Sequence, residues 1–322
     1  RAELHAFRGG GMLLAVRLLF SGPLESIGAQ SVADPIGYQG PGYASSKTSA
    51  PTSEKPESKL WWNDGYWWGD LYNDVTEAHH IYRLDEQNMQ WLDTGVMLDE
   101  RNKSRSDVVW DAADGKLYVA SHKTAETSEE GDESDRGVLF RYSYDPAADT
   151  YALDQGFPVV ITPGRTQTLT ITKDSTRRLW ATYVWENQVM ISYTLGDDAS
   201  WSEPMPVPVE NSTVTPEDIS TIDAFGINAV GLAWTFQNAA GEQDLFFAIH
   251  QAGAPPEAWQ QEVIATGHSV ADNHLNMASD AEGNLYHWHK HQVSQASTNA
   301  ARQQRYRARQ KDASETRNVT SG

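Results

Sequence analysis

The sequence predicts an all-β chain folded as a β-propeller of four-stranded antiparallel blades, and three observations lead there. From Leu60 onward, short apolar and aromatic runs alternate with Asp, Gly and Asn turns. No stretch sustains an i, i+3, i+4, i+7 apolar stripe over three turns, as an amphipathic helix requires. Four strand types recur in a fixed order, the pattern of a blade rather than of a sandwich.

The most regular line of the repeat is a leucine strand: KLWWND (59–64), KLYVAS (116–121), RLWATY (178–183), GLAWTF (231–236) and NLYHWH (284–289). Its leucines, Leu60, Leu117, Leu179, Leu232 and Leu285, are 57, 62, 53 and 53 residues apart. The longest interval contains the acidic insertion 124–136, as expected of an insertion placed in a loop. A strand ending in Asp comes before the leucine strand, at 106–111, 168–174, 218–223 and 274–280. A third line follows it at 80–85, 139–145, 190–197 and 245–250, and a fourth opens on Trp91, Tyr151, Trp201 and Trp259. Residues 57–105 read as a unit lacking its first strand, and 272–291 supplies only the first two strands of another. Four to five blade units are therefore expected, and the chain reads as a shortened form of a six-bladed type.

Composition sets the domain limits. Residues 1–56 are expected to be a signal-like and linker segment, 57–291 the propeller, and 292–322 a polar basic tail without stable packing. The apolar run Met12–Phe20 is interrupted by Arg17 and too short to span a membrane; with Arg8 before it, it reads as a partial secretory signal or an inconsequential leader. A secreted or cell-surface location is the expectation. The net charge of −19 is uneven: residues 57–291 hold 14 basic and 38 acidic side chains, a net of −24. Such a surface repels phosphate backbones, which argues against nucleic acid as a partner. The chain has no cysteine, so neither disulfides nor thiolate metal sites enter.

Two passages resemble the sialidase-like superfamily, the BNR or Asp-box propellers. In ISYTLGDDASWSEPMPVPV (191–209), Thr194, Gly196 and Asp198 take the Ser, Asp and Gly places of the family's turn, with Trp201 and Pro204 in place. An Asp followed after two or three residues by Gly-x-Leu-Tyr recurs in DAADGKLY (111–118) and DAEGNLY (280–286). The segments SKLWWNDGYWWG and ADNHLN also resemble a set of secreted prokaryotic propellers. The resemblance covers about residues 57–291 and implies the fold more than a chemistry, since one fold hosts hydrolases, lyases and pure binders. Hydrolytic members need three convergent arginines, and the arginines of 57–291 do not recur at one place on successive blades.

The funnel of a propeller is lined by residues leading into the innermost strands. Here these are Arg105 and Asp107, Gln167 and Thr168, Glu217 and Asp218, and Asp272, Asn273, His274 and Asn276. Asp107, Asp218 and His274 are the candidates for acid–base work on a glycosidic bond. Arg105, Glu217, Asp272, Asn273 and Asn276 are candidate ligand contacts. The same Asp and Asn residues can instead cap turns. Trp61, Trp62, Trp67 and Trp68 flank an Asn63-Asp64-Gly65 hairpin turn, and Trp62 and Trp68 are candidate platforms for a sugar ring. His287, His289 and His291 alternate along one strand, a spacing that suits a metal or simply an edge strand. No cofactor is expected; the acidic stretch Glu126–Asp135 could gather Ca²⁺ but lacks the spacing of a calcium loop. The leading expectation is a propeller that recognises a glycan or other extracellular polymer through its central funnel. Its rival is a glycoside hydrolase or polysaccharide lyase.

Overall fold

The computed structural model describes residues 5–8, 40–44, 56–101, 103–125, 132–237, 243–267 and 274–289. Strand β1 (His5–Arg8) belongs to the last sheet. The first blade follows as β2 (Leu60–Asn63), β3 (Tyr66–Asn73), β4 (Ala78–Asp85) and β5 (Gln90–Asp99). The second holds β6 (Ser104–Asp111), β7 (Lys116–Lys123) and β8 (Val138–Asp145), with β9 (Thr150–Leu153) and β10 (Val159–Val160) sharing its outer edge. The third is β11 (Thr170–Lys173), β12 (Leu179–Trp185), β13 (Gln188–Tyr193) and β14 (Met205–Pro206). The fourth is β15 (Ser220–Phe225), β16 (Ala229–Gln237), β17 (Gln243–Gln251) and β18 (Trp259–Ala265). In the fifth, β19 (Leu275–Ser279) pairs with β20 (Asn284–His289), which pairs in turn with β1. All strand pairings within these sheets are antiparallel.

The sheets fan about one axis. The first strand of each blade touches the first strand of the next, from β2 through β6, β11 and β15 to β19. Apolar side chains fill the space between consecutive blades. Trp68 and Ile81 meet Leu117 and Val119; Tyr118 and Leu139 meet Leu169 and Leu179; Trp180 meets Trp234 and Phe246; Leu245 and Phe247 meet Leu275 and Leu285. This is the propeller arrangement of four-stranded blades, with five blade units described. The approach is close enough to demand a glycine. A Cβ on Gly231 would lie 2.8 Å from the Phe247 ring and 2.9 Å from Leu285.

Four of the five leucines stand where the repeat puts them, on the second strands β7, β12, β16 and β20. Leu60 does not. It opens β2, an innermost strand, so the first blade lacks nothing, and its second strand is β3. The two-residue turn Asp64-Gly65 explains this, because both residues have positive φ (50° and 79°) and join the first strand to the second. Trp67, two residues after Gly65 as Leu117 is two after Gly115, holds the leucine's place on β3, and Trp68 holds that of Tyr118, packed against blade 2. The expected boundary at residue 57 is crossed as well: β1 lies in the segment read as leader and linker, and Ala44 N donates to Asp74 Oδ1 at 2.9 Å.

Three of the repeat's four terminal aspartates are hairpin caps. Asp111 Oδ1 accepts from Ala113 N, Asp174 Oδ1 from Thr176 N and Arg178 N, and Asp280 Oδ1 from Asn284 N. The turn in 191–209 lies between the third and fourth strands of its blade. Asp197, rather than the aligned position 196, caps it by accepting from Ala199 N and Ser200 N.

Trp68 is fully buried, edge-on to Tyr151 at 5.1 Å. Trp68→Ala should therefore cost about 3–5 kcal/mol of stability in urea unfolding, whereas Trp67→Ala, on the exposed face, should cost less than about 1 kcal/mol. Equal losses would contradict the core assignment of β3.

Candidate functional site

Among the described residues that lead into the innermost strands, Arg105, Asp107, Thr168 and Asp218 are buried. Asp107 is buried on β6; its Oδ1 accepts from Ser58 N at 2.6 Å and its Oδ2 from Ile171 N at 2.8 Å. One carboxylate thus links the lead-in to blade 1 with blades 2 and 3. Burial pushes its carboxyl up to about 8 against the pull of those two amides, and the nearby Glu57 and Asp223 add to the rise. Asp218 is fully buried and accepts from Thr215 N, Thr215 Oγ1, Thr235 Oγ1 and Gln237 N, all within its own blade. Both aspartates cap backbone, the reading that competes with acid–base work. They do not pair with each other.

The other expected contacts divide. Arg105 is buried on β6 and donates to Ser104 O at 2.9 Å, so it presents no surface to a ligand. Glu217 is exposed, and His274 and Asn276 are half-buried. Asp272, Asn273, His291 and residues 126–131 lie outside the described residues, as does the His289 side chain. His287 is buried between blades 4 and 5 on the face that carries Met277, which places it in packing. Among the described residues no three His, Asp or Glu side chains come together to hold a metal ion. Trp68 is core, as above, and offers no ring face to a sugar.

Two buried charge networks escape sequence reading because their members come from different strands. Lys59 Nζ lies 3.2 Å from Asp70 Oδ2 and donates to Ser106 Oγ at 2.8 Å, while Ser106 Oγ donates to Asp70. His79 Nδ1 meets Asp70 Oδ1 at 2.7 Å. Burial raises the Asp70 carboxyl, but Lys59 and His79 outweigh it and hold the group below the ordinary carboxylate range. In the second network, His122 Nε2 lies 2.6 Å from Glu57 Oε1, which also accepts from Leu169 N at 3.2 Å. Asp223 on β15 stands between Thr172 of β11 and Ser279 of β19, and burial pushes it up to about 6.

The exposed aromatic surface lies on blade 1. Pairing of Trp62 with Trp67 and of Trp61 with Trp68 sends one tryptophan pair to each face of the hairpin. Trp61 and Trp68 are core, while Trp62 and Trp67 are 50% and 41% exposed, edge-to-face at 5.5 Å. Leu60 shares their face. Tyr66, at the hairpin turn but on the Trp61–Trp68 face, lies under Arg83 at 4.6 Å.

No family model matches the chain, and no curated protein matches it. Among solved structures it is similar to a Penicillium chrysogenum alpha-L-arabinanase complexed with arabinobiose, at 10% identity over 69% of this chain and 69% of that one, TM-score 0.44. It is similar to Bacteroides ovatus xyloglucan PUL GH43B at 10% identity over 73% of this chain, TM-score 0.44, and spans 48% of that protein's length. The Dos1 propeller matches at 7% identity over 72% of this chain and 67% of that one, TM-score 0.37. The fold assignment rests on the blade order and the contacts between blades.

The two shifted carboxyls set opposite pH limbs. Asp107, with a folded value near 8, binds a proton that the unfolded chain releases near the ordinary value of about 4. Its contribution is full below about pH 4 and falls as the pH rises toward 8, with Asp223 adding to the lower half of that window. Asp70 is depressed, so its contribution is present above about pH 4 and is lost as the pH falls. Asp107→Asn should flatten the alkaline limb of urea midpoint against pH, and Asp70→Asn the acid limb. An unchanged alkaline slope in Asp107→Asn would contradict the assignment.

Proposed function

We propose that this chain is an extracellular propeller that recognises a glycan, with Trp62 and Trp67 on the first blade as its sugar-contacting platform. One observation carries the reading: among the described tryptophans only these two are exposed. An indole costs apolar surface when left in water, and an exposed apolar patch on an otherwise well-packed domain marks a binding face. The platform is rigid, since a tight turn and the Trp61–Trp68 pair beneath it set its geometry. Leu60, on the same face, extends its apolar surface. The funnel residues Asp107 and Asp218 shape the axis in this reading and do not touch the ligand.

A second reading, cleavage of a glycosidic bond by hydrolysis or elimination, is favoured by the raised Asp107 and Asp223 carboxyls near the axis. Two neighbouring carboxyls with separated pKa values suit general acid and base roles.

Binding of immobilised plant and microbial polysaccharides to the Trp62→Ala/Trp67→Ala double variant separates the two. Recognition through the platform predicts a loss of about tenfold or more, equivalent to about 1.4 kcal/mol, with the melting temperature nearly unchanged. Undiminished binding by the double variant would sink the platform. Release of reducing ends that vanishes in Asp223→Asn but persists in the tryptophan variant would favour the enzyme reading.

A further inference from the structure

The apolar face of blade 1 does not stop at its first hairpin. Register carries it across all four strands: Leu60 of β2 pairs with Gly69 of β3, Gly69 with Tyr82 of β4, and Tyr82 with Asp93 of β5. In the neighbouring row Trp62 pairs with Trp67, and Leu84 with Trp91. Directly paired residues share a face of the sheet, so Trp91 and Asp93 stand on the side that carries Trp62 and Trp67. From β2 to β5 this face is about 14 Å wide, three strand spacings.

Gly69 makes it continuous. A Cβ there would lie 2.9 Å from Leu60 Cδ2 and 3.2 Å from Trp91 Cζ3, so the indole of Trp91 reaches from the fourth strand across β4 to the second. A side chain that spans two strands runs along the sheet and not away from it. Leu84, its partner on β4, is buried, and Trp91 itself is half-buried. Leu60 and Trp91 thus join the Trp62–Trp67 pair to the outer strand of the blade.

Beside Trp91 opens a cavity of about 380 Å³, lined by Pro41, Tyr82, Met89, Gln90, Trp91 and Asp93. Asp93 is the one charged side chain lining it among the described residues. Burial raises its carboxyl, but the Gly95 amide, His80 and Asn73 outweigh that and hold it below the ordinary carboxylate range. These charges restrict the occupant. Copies of a domain with net −24 repel one another. A uronic or sulfated sugar would meet the Asp93 anion with no cation lining the cavity among the described residues. An uncharged glycan meets neither obstacle, since its ring faces stack on indoles and its hydroxyls can donate to Asp93 and Gln90.

We propose that Trp91 and this cavity form a further subsite of the blade-1 platform, so that the face takes an extended, uncharged oligosaccharide running across the strands from Trp62 to Trp91. This rests on the reading of Trp62 and Trp67 as a glycan platform and adds the ligand's length, direction and charge class.

The test is calorimetric titration of the full chain with cellohexaose, xylohexaose, mannohexaose, the disaccharide of whichever hexamer binds best, and hexagalacturonic acid. The best hexamer should bind about tenfold or more tighter than its disaccharide, and than hexagalacturonic acid. Trp91→Ala should cut the hexamer-to-disaccharide ratio to about threefold or less, and so should Gly69→Ala, whose methyl lifts Trp91 off the sheet. A hexamer bound no better than its disaccharide, equal affinity for hexagalacturonic acid, or a Trp91→Ala ratio equal to that of the unsubstituted chain overturns the proposal. If the Trp62→Ala/Trp67→Ala variant still loses binding in that case, the platform stands without this subsite. No binding of any hexamer also overturns the proposal, while the immobilised polysaccharides judge the platform separately. So does a concentration-dependent dimer in sedimentation that Trp91→Ala dissociates, since a second copy would then cover the face. The length comparison needs no variant, so misfolding of either variant leaves the test decisive.

Discussion

The carboxylate of Asp107 is the tie on which the centre of this propeller depends. Strands that meet at an axis expose amides on their inner edges, and every buried amide needs an acceptor. Asp107 supplies two acceptors at once, to Ser58 ahead of blade 1 and to Ile171 of blade 3, from its own place in blade 2. The backbone joins in, since Val108 N donates to Ser58 O at 3.1 Å. This junction holds Ser58, which stands between Glu57 and Lys59, the first members of the two buried networks.

Those networks show how charge is kept inside a protein with so much negative charge outside. A buried ion is tolerable only with a partner and filled hydrogen bonds. Lys59 and His79 flank the two oxygens of Asp70, and His122 meets Glu57. Removing one partner from either set leaves an uncompensated charge, so these groups specify one arrangement of blades 1 to 3 more than they add net stability. Asp107 and Asp223 lack such cationic partners, which is why burial raises both.

Much of the fold is legible in the sequence because it depends on local rules. Alternation marks the strands, Asp and Gly mark the turns, and the spacing of Leu117, Leu179, Leu232 and Leu285 marks the blades. Leu60 misleads because its blade has Trp67 at the leucine's place, and a Leu-Trp-Trp run is equally good as a first or a second strand. The site was legible only as a region. Blade order picks out the residues that lead into the innermost strands, but whether Asp107 or Asp218 faces a ligand or a backbone amide depends on partners as far off as Ile171.

The architecture also separates stability from recognition. Buried carboxylates organise the axis, while the exposed Trp62–Trp67 face lies on a blade itself. That division rests on Asp107 being a buried, proton-holding cap. The direct measurement is a carboxyl ¹³C NMR titration of Asp107 in the folded chain. The account predicts a midpoint near 8. A midpoint near the ordinary aspartate value of about 4, as for a solvent-facing ligand contact, would contradict it.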